Sequence, residues 1–349
     1  MGLMPTDKAR AELFLAPFVT WHLVRPVALL LAEFALYGVC VFCAVVSTGL
    51  AAKFGFAFVA GILTATLGII GHDCAHRGGT RHQWLNRLIA TIGFLPALHP
   101  IGRWAHHHNQ VHHRYTAQIG VDNAFSPMTV EAYRAATPLR RAYYRYQRSL
   151  AGHATYYLID IWLLQIFLPS AQERATFRTR DYLDFAFVYA WLIALVGGLT
   201  FAAHALNGQS YGAAFANAAV FGLAIPFLLW NLYISFVTVI QHTGPAVRWS
   251  MPTGRPTTPE QKMRGTVHIV FWEAIDLLFH RLMQHTAHHL NPIIPMYSLK
   301  GAQGSLEKLR DDVLVVHWTP AYHWRLMRTC KLYDPAADGW CDFAFQPTV

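Results

Sequence analysis

Ile69-Ile70-Gly71-His72-Asp73-Cys74-Ala75-His76 decides how the chain is read: an apolar run ends there and two histidines, one helical turn apart, begin. Two further clusters follow it, Trp104-Ala-His106-His107-His108-Asn-Gln-Val-His112-His113 and, far down the chain, His285-Thr-Ala-His288-His289. Eight of these side chains fit HX3H, HX3HH and HX2HH. A spacing of four puts two side chains on one helix face, and a histidine next door adds another direction of approach. Imidazole is a ligand for iron, zinc, copper and nickel. Three clusters hold too many nitrogens for one tetrahedral zinc, which takes four ligands. They suit two adjacent ions of five- or six-fold coordination. A merely histidine-rich surface would not set each cluster beside a strongly apolar segment.

Working outward, the composition is that of a membrane protein. Of 349 residues, 54% are hydrophobic and 13% charged, apolar-rich and charge-poor for a soluble domain. The five cysteines are too scattered for a disulfide framework, and Cys40 and Cys43 lie in an apolar run where a thiol acts as a small hydrophobe. Four stretches, 27–50, 54–71, 185–206 and 213–242, are long enough to cross a bilayer core of about 30 Å. Glu33 is the only charge in the first, expected near the membrane edge or facing another helix. Lys53 is expected in the turn between the first two, and Pro226 is expected to kink the fourth. At about 1.5 Å per residue the fourth stretch exceeds the bilayer core by about ten residues, so Gln241-His242-Thr243 should stand clear of it.

Charge sets the orientation. Residues 72–184 carry thirteen arginines, and 243–349 carry eleven lysines and arginines, against Lys53 alone on the other side. The positive-inside rule puts 1–26, 72–184, 243–349 and every histidine cluster in the cytoplasm, as in a bacterial inner-membrane protein. The net charge of +9 then reflects topology, not nucleic acid. No secretory signal is expected at the start; Trp21 and Arg25 read as an interface belt. Trp84–Gly102, broken by Gly93, Pro96 and Pro100, reads as re-entrant or interfacial, and Tyr156–Pro169 as a helix along the interface. The expected fold is one all-α integral membrane domain: four transmembrane helices and a helical cytosolic cap holding the histidines. Histidines without thiolates and with few carboxylates point to iron.

These residues resemble the integral-membrane fatty acid desaturases, most closely the acyl-lipid desaturases of the cyanobacterial Δ12 type. The likeness rests on Gly71-His-Asp-Cys-Ala-His-Arg77, Val121-Asp-Asn-Ala-Phe125, Gln241-His-Thr-Gly-Pro245, Gly265-Thr-Val-His268, His285-Thr-Ala-His-His-Leu290 and Ile294-Pro-Met-Tyr-Ser-Leu299. It covers roughly residues 25–310; 311–349 show no usable match. The resemblance implies a di-iron enzyme that uses O2 and two electrons to remove two hydrogens from an acyl chain. It implies as ligands His72 and His76, then His108, His112 and His113, then His285, His288 and His289. His242, at the end of the fourth span, matches a further ligand of the related stearoyl desaturases. The second box has one residue more than the common HX2HH, so His107 is an alternative to His108; His108 is preferred because it shares a helix face with His112.

Asp73, Asp122 and Asp276 are candidates to accept the outward N–H of a ligating histidine; the alternative is an ion pair with one of the many arginines. His268 and His280 are candidate ligands or supports of the site. Asn231, Ser235 and Thr238 line an acyl tunnel or bond between helices. An unactivated C–H bond needs an oxidant that side chains cannot supply. With no GxGxxG fingerprint after a strand and no fused cytochrome domain, electrons are expected from a separate ferredoxin or cytochrome b5 type protein. Competing readings are a di-iron hydroxylase, acetylenase or ketolase, which begin with the same hydrogen abstraction. A membrane metal transporter would place ionisable residues near the bilayer midplane, whereas the histidine clusters lie outside the spans; a heme carrier would need paired histidines within the spans, where only His204, near a span end, is available.

Overall fold

A computed structural model describes residues 14–348; Lys8 and Arg10 of the N-terminal segment lie outside the described residues. The described residues pack as two compact units, one of Trp21–Trp104 with Tyr157–Ile234, the other of 14–20, 105–156 and 235–348.

The first unit holds the long apolar helices. Val24–Val46, Leu50–Ala75, Thr179–Asn207 and Tyr211–His242 are each long and apolar enough to cross a membrane, the last belonging to this unit as far as Ile234. Their outward faces carry large apolar side chains, such as Leu31, Phe58, Ile193 and Phe201, all more than half exposed. A soluble protein does not expose so much contiguous hydrocarbon; lipid tails are its natural surroundings. Lipid is as apolar as leucine, so helices associate here by close packing of small residues. Leu50–Ala75 buries Ala57, Ala60, Gly61, Ala65, Gly68 and Gly71. Helix Gln83–Phe94 crosses it so closely that a Cβ on Gly93 would lie 2.7 Å from the Leu67 carbonyl oxygen.

One expectation changes in this unit. The first hairpin turns at Ser47–Gly49, not at Lys53, because the next helix already starts at Leu50. Lys53 reaches back instead, donating to Asn217 Oδ1 at 2.6 Å, while Asn217 Nδ2 donates to the Val45 carbonyl at 2.7 Å. The turn's polar groups are thereby satisfied at a membrane boundary, where unmet ones are costly. In the fourth helix, residues Ala218–Ala224 form a π-helical stretch just before Pro226. A proline lacks the N–H and crowds the carbonyl four residues back, and a wider turn relieves both. The segment expected along the interface is helical, with Tyr157–Phe167 in π-helical form.

The second unit contains short helices and two minimal sheets. His268–Val270 pairs in parallel with Val315–His317, and Leu332–Asp334 pairs antiparallel with Gly339–Cys341. The latter hairpin, from the stretch with no family match, packs on Tyr133 and Tyr144. Arg148 is buried against it. Its guanidinium lies 3.9 Å from the centre of the Phe125 ring, and Nη2 donates to the Phe125 and Ser126 carbonyls at 2.9 and 2.7 Å. This clamp fixes the 121–126 loop, which matters for the histidines.

A valine at Gly93 must push the two helices apart and should cost about 1–3 kcal/mol, the usual penalty for overpacking. The expected result is a clear fall in the thermal midpoint in detergent for Gly93→Val. No comparable change is expected for Gly197→Ala, whose Cβ would meet nothing within 4 Å.

Candidate metal centre

The histidines of the second unit converge in two groups. His112, His242, His285 and His289 bring one ring nitrogen each within 4.8 Å of one another, and all four are buried. His285 Nε2 and His242 Nε2 are 2.8 Å apart. In the other group, His113 Nε2 lies 3.1 Å from His108 Nε2 and 3.1 Å from His288 Nε2. Two imidazoles bound about 2.0–2.1 Å from one ion lie about 2.9 Å apart at a right angle and about 3.4 Å apart at the tetrahedral angle. The observed separations of 2.8–3.1 Å lie nearer the right-angle value than the tetrahedral one.

Helix geometry explains the sorting. Successive residues of a helix point about 100° apart, so each HH doublet sends one ring to each group. His112 joins the first and His113 the second, with ring planes 75° apart. His289 and His288 divide the same way at 85°. His285 and His289, one turn apart, stay together at ring centres 4.4 Å apart.

The second box contains a correction. His108 and His112 do not face the same group. Residues His106–His112 form a π-helical turn, closed by His113 N–H donating to the His108 carbonyl at 2.9 Å. In a π turn it is i and i+5 that stack, which pairs His108 with His113. A π-bulge is one residue inserted into an α-helix, so it absorbs the extra residue of this box. His107 belongs to neither group, and its ring centre lies 5.4 Å from that of His106.

Neighbours fix the ring nitrogens. Asp122 Oδ1 lies 2.8 Å from His112 Nδ1 and also accepts from Ala124 N, while Oδ2 accepts from Ala117 N at 2.7 Å. The Thr116 hydroxyl donates to the His112 carbonyl at 2.9 Å and so accepts from His289 Nδ1 at 3.1 Å. The Gly265 carbonyl accepts from His242 Nδ1 at 3.3 Å. With Nδ1 protonated in all three, each Nε2 presents a lone pair to the shared interior. His289 Nε2 is buried and has no hydrogen-bond partner among the described residues, an expense that a bound cation removes. Burial, and then the neighbouring His285 and His112, hold the His289 imidazole well below the usual histidine range, in the neutral form that metals bind. The donor set therefore fits a divalent metal such as iron.

Local bonds also place the elements. The end of the fourth long helix is pinned by Gln241 Nε2 to the Leu282 carbonyl at 3.1 Å and by Trp249 Nε1 to the His242 carbonyl at 3.2 Å. His268 lies in a strand, its Nδ1 2.6 Å from Glu307 Oε1. Glu307 Oε1 also accepts from Gln303 Nε2, and Gln303 Oε1 accepts from Ala287 N at 2.9 Å. Through this chain His268 holds the third box in place. Asp276 Oδ2 accepts from Arg281 at 2.6 Å and from Gln284, the residue before His285, at 2.7 Å. His280 occupies a left-handed turn with φ 50° outside both groups. Thr116, Gln303 and Glu307 carry no motif; only the four-residue step from His112 to Thr116 hints at contact.

In the first unit, His72 and His76 occupy the last turn of Leu50–Ala75 and its cap, with ring centres 4.7 Å apart, and Asp73 is buried between them in sequence. Asn231 Nδ2 donates to the Phe227 carbonyl of its own helix. In the second unit Ser235 is fully buried and Thr238 half-buried.

Known proteins are similar to this chain in sequence. The fatty acid desaturase family model matches residues 48–321. The sn-1 oleoyl-lipid 12-desaturase of Synechocystis sp. is 29% identical over 280 residues, 76% of this chain and 72% of that protein. The enzyme of the same name from Picosynechococcus sp. is 28% identical over 290 residues, 79% and 76% of the two chains. The chloroplastic omega-6 fatty acid desaturase of Spinacia oleracea is 28% identical over 276 residues, 76% of this chain and 56% of that longer one.

Removing the carboxylate behind His112 should loosen the ring without removing a ligand. Asp122→Asn is expected to weaken metal binding by about 10–100-fold, the usual effect of losing such a partner. Titration of the metal-free protein with Co(II) or Fe(II) measures it, and unchanged affinity would contradict the role.

Proposed function

Because the chain belongs to the fatty acid desaturase family, we propose that it is a membrane-bound, O2-dependent acyl-lipid desaturase whose nine histidines hold two irons. The observation that carries the reading is the pair of imidazole groups with right-angle nitrogen spacings and fixed Nε2 lone pairs. We assign His112, His242, His285 and His289 to one iron. His108, His113 and His288 leave the other ion short of five- or six-fold coordination, and His72 and His76 are the box histidines that remain to complete it.

Bound iron with O2 would supply the power to remove two hydrogens from an unactivated methylene pair, which no side chain has. The chain's own part is orientation. Asp122, Thr116 and the Gly265 carbonyl hold three rings in one tautomer, and the chain from His268 to Ala287 sets the third box. The relatives' names support an oleoyl lipid as substrate, desaturated toward the methyl end. Asn231, Ser235 and Thr238 lie on the helix that leads down from His242 and would flank the acyl chain.

Charge asymmetry supports both termini and the metal centre facing the cytoplasm. Electrons would come from a separate ferredoxin or cytochrome b5 type carrier, and a basic face steers an acidic partner.

Expression in a host supplied with defined acyl lipids, followed by mass spectrometry, tests the activity. A product two mass units lighter is expected; a gain of sixteen would make the enzyme a hydroxylase. His288→Ala should abolish turnover while the protein still inserts. His242→Ala should keep part of its iron and lose most of its turnover, and His107→Ala should keep its iron where His108→Ala does not. Reporter fusions at Gly208 should behave as exported and those at Arg145 as cytoplasmic; a cytoplasmic Gly208 would break the four-span arrangement.

A further inference from the structure

Outside the histidine groups, a second set of redox-capable side chains lies together in the first unit. Residues 95–100 join helix Gln83–Phe94 to Ile101–Ala105, and the chain reverses there through Leu98 at φ 54°. The turn carries His99 into the interior, where it is 1% exposed. His99 Nδ1 lies 2.6 Å from the Ala97 carbonyl oxygen. A carbonyl only accepts, so Nδ1 carries the proton and Nε2 is a bare acceptor. The Tyr157 hydroxyl donates to that Nε2 at 3.1 Å. Trp104 donates its indole N–H to the same phenol oxygen. Trp104 in turn sets its ring edge-on to His72, with ring centres 5.6 Å apart, and packs on Phe94 at 4.5 Å.

The result is an unbroken series from a box histidine to a buried base: His72, Trp104, Tyr157, His99. Hydrocarbon side chains would fill this space without the desolvation of three polar groups. Each polar group is instead bonded to the next, and the series begins at a box histidine. Burial lowers His99 to about 4, so its imidazole is uncharged at rest and Nε2 keeps its lone pair toward Tyr157. Tyr157 stands where the helix turns π-helical, at Tyr157–Phe167, a form of turn that marks functional positions.

We propose that Trp104, Tyr157 and His99 form a proton-coupled electron relay that discharges the metal centre when O2 reacts there with no acyl chain to attack. The inference rests on the iron and O2 reading above. In the step, one electron leaves the Tyr157 phenol and passes through Trp104 toward His72. The phenolic O–H bond breaks, and its proton moves to His99 Nε2. Tyr157 becomes a neutral phenoxyl radical and His99 an imidazolium, while the oxidant, O2 reacting at the bound metal, is reduced by one electron. The one-electron carrier that serves desaturation then returns an electron to Tyr157, and His99 returns the proton. Tyr157 is the site of the hole because its proton has an acceptor at hydrogen-bond distance.

Two arms test the relay on the full-length protein. In the first, iron-loaded protein is reduced, mixed with O2 without acyl lipid, freeze-quenched and examined by electron paramagnetic resonance. A tyrosyl signal is expected, lost in Tyr157→Phe and in Trp104→Phe. In the second, metal-free protein is oxidised by a flash-excited ruthenium photo-oxidant, and the phenoxyl absorption is followed in H2O and D2O. Here the radical should persist in Trp104→Phe, vanish in Tyr157→Phe, and lose its isotope-sensitive formation in His99→Gln. A radical elsewhere, or one indifferent to His99→Gln, overturns the relay. A Tyr157 radical in the metal-free arm from a protein that binds no iron would sink the iron reading and leave the Tyr157–His99 pair standing.

Discussion

The constraint on which the site depends is that buried imidazoles must remain uncharged while their lone pairs point at one another. Water would ordinarily prevent this by protonating or solvating them. Here burial disfavours the charged form, and acceptors on the far side of each ring decide which nitrogen keeps its proton. Asp122, Thr116 and the Gly265 carbonyl make that choice for His112, His289 and His242. Such preorganisation has a folding cost, because nitrogen lone pairs 2.8–3.1 Å apart repel one another until a shared proton or cation lies between them. The cost is borne by a surrounding shell of ordinary hydrogen bonds, several made by residues with no metal chemistry of their own, such as Gln303 and Glu307.

Helix periodicity then does the distribution. A doublet of histidines cannot serve one ion from neighbouring helical positions, since the two rings diverge. It serves two ions well. The π turn at His106–His112 extends the same logic: one inserted residue rotates His108 away from His112 and toward His113. What looks in sequence like a defect of spacing is a change of partner, accommodated by the wider turn.

The apolar helices supply the frame. Their exposed hydrocarbon suits lipid, and their contacts rely on small residues where backbones approach, as at Gly93 against Leu67. The last turn of one such helix ends in His72 and His76, and the last turn of another ends in His242. A membrane helix is stiff and has no unmet backbone groups along its length, so a histidine at its end is delivered at a defined height. Among the turn-borne residues, His99 shows the complementary device: a left-handed bend that turns a side chain into the interior where no helix could place it.

By itself the sequence determined the class of the protein. Four apolar runs, the arginine asymmetry and three histidine clusters are one-dimensional patterns, and each follows from a local rule: span length, charge retention, helical spacing. The family resemblance, with a fourth run too long for the bilayer, also singled out His242, which the structure groups with His112, His285 and His289. Only the tertiary structure decided which histidine belongs with which. The π turn that pairs His108 with His113, the loop that brings Asp122 to His112, and the strand-borne His268 acting through Glu307 and Gln303 all join residues by contacts that spacing does not encode. Lys53 shows the same limit on a small scale. A lone charge between two apolar runs suggests a turn, but its place was set by Asn217, a partner far away in the chain and adjacent only after folding.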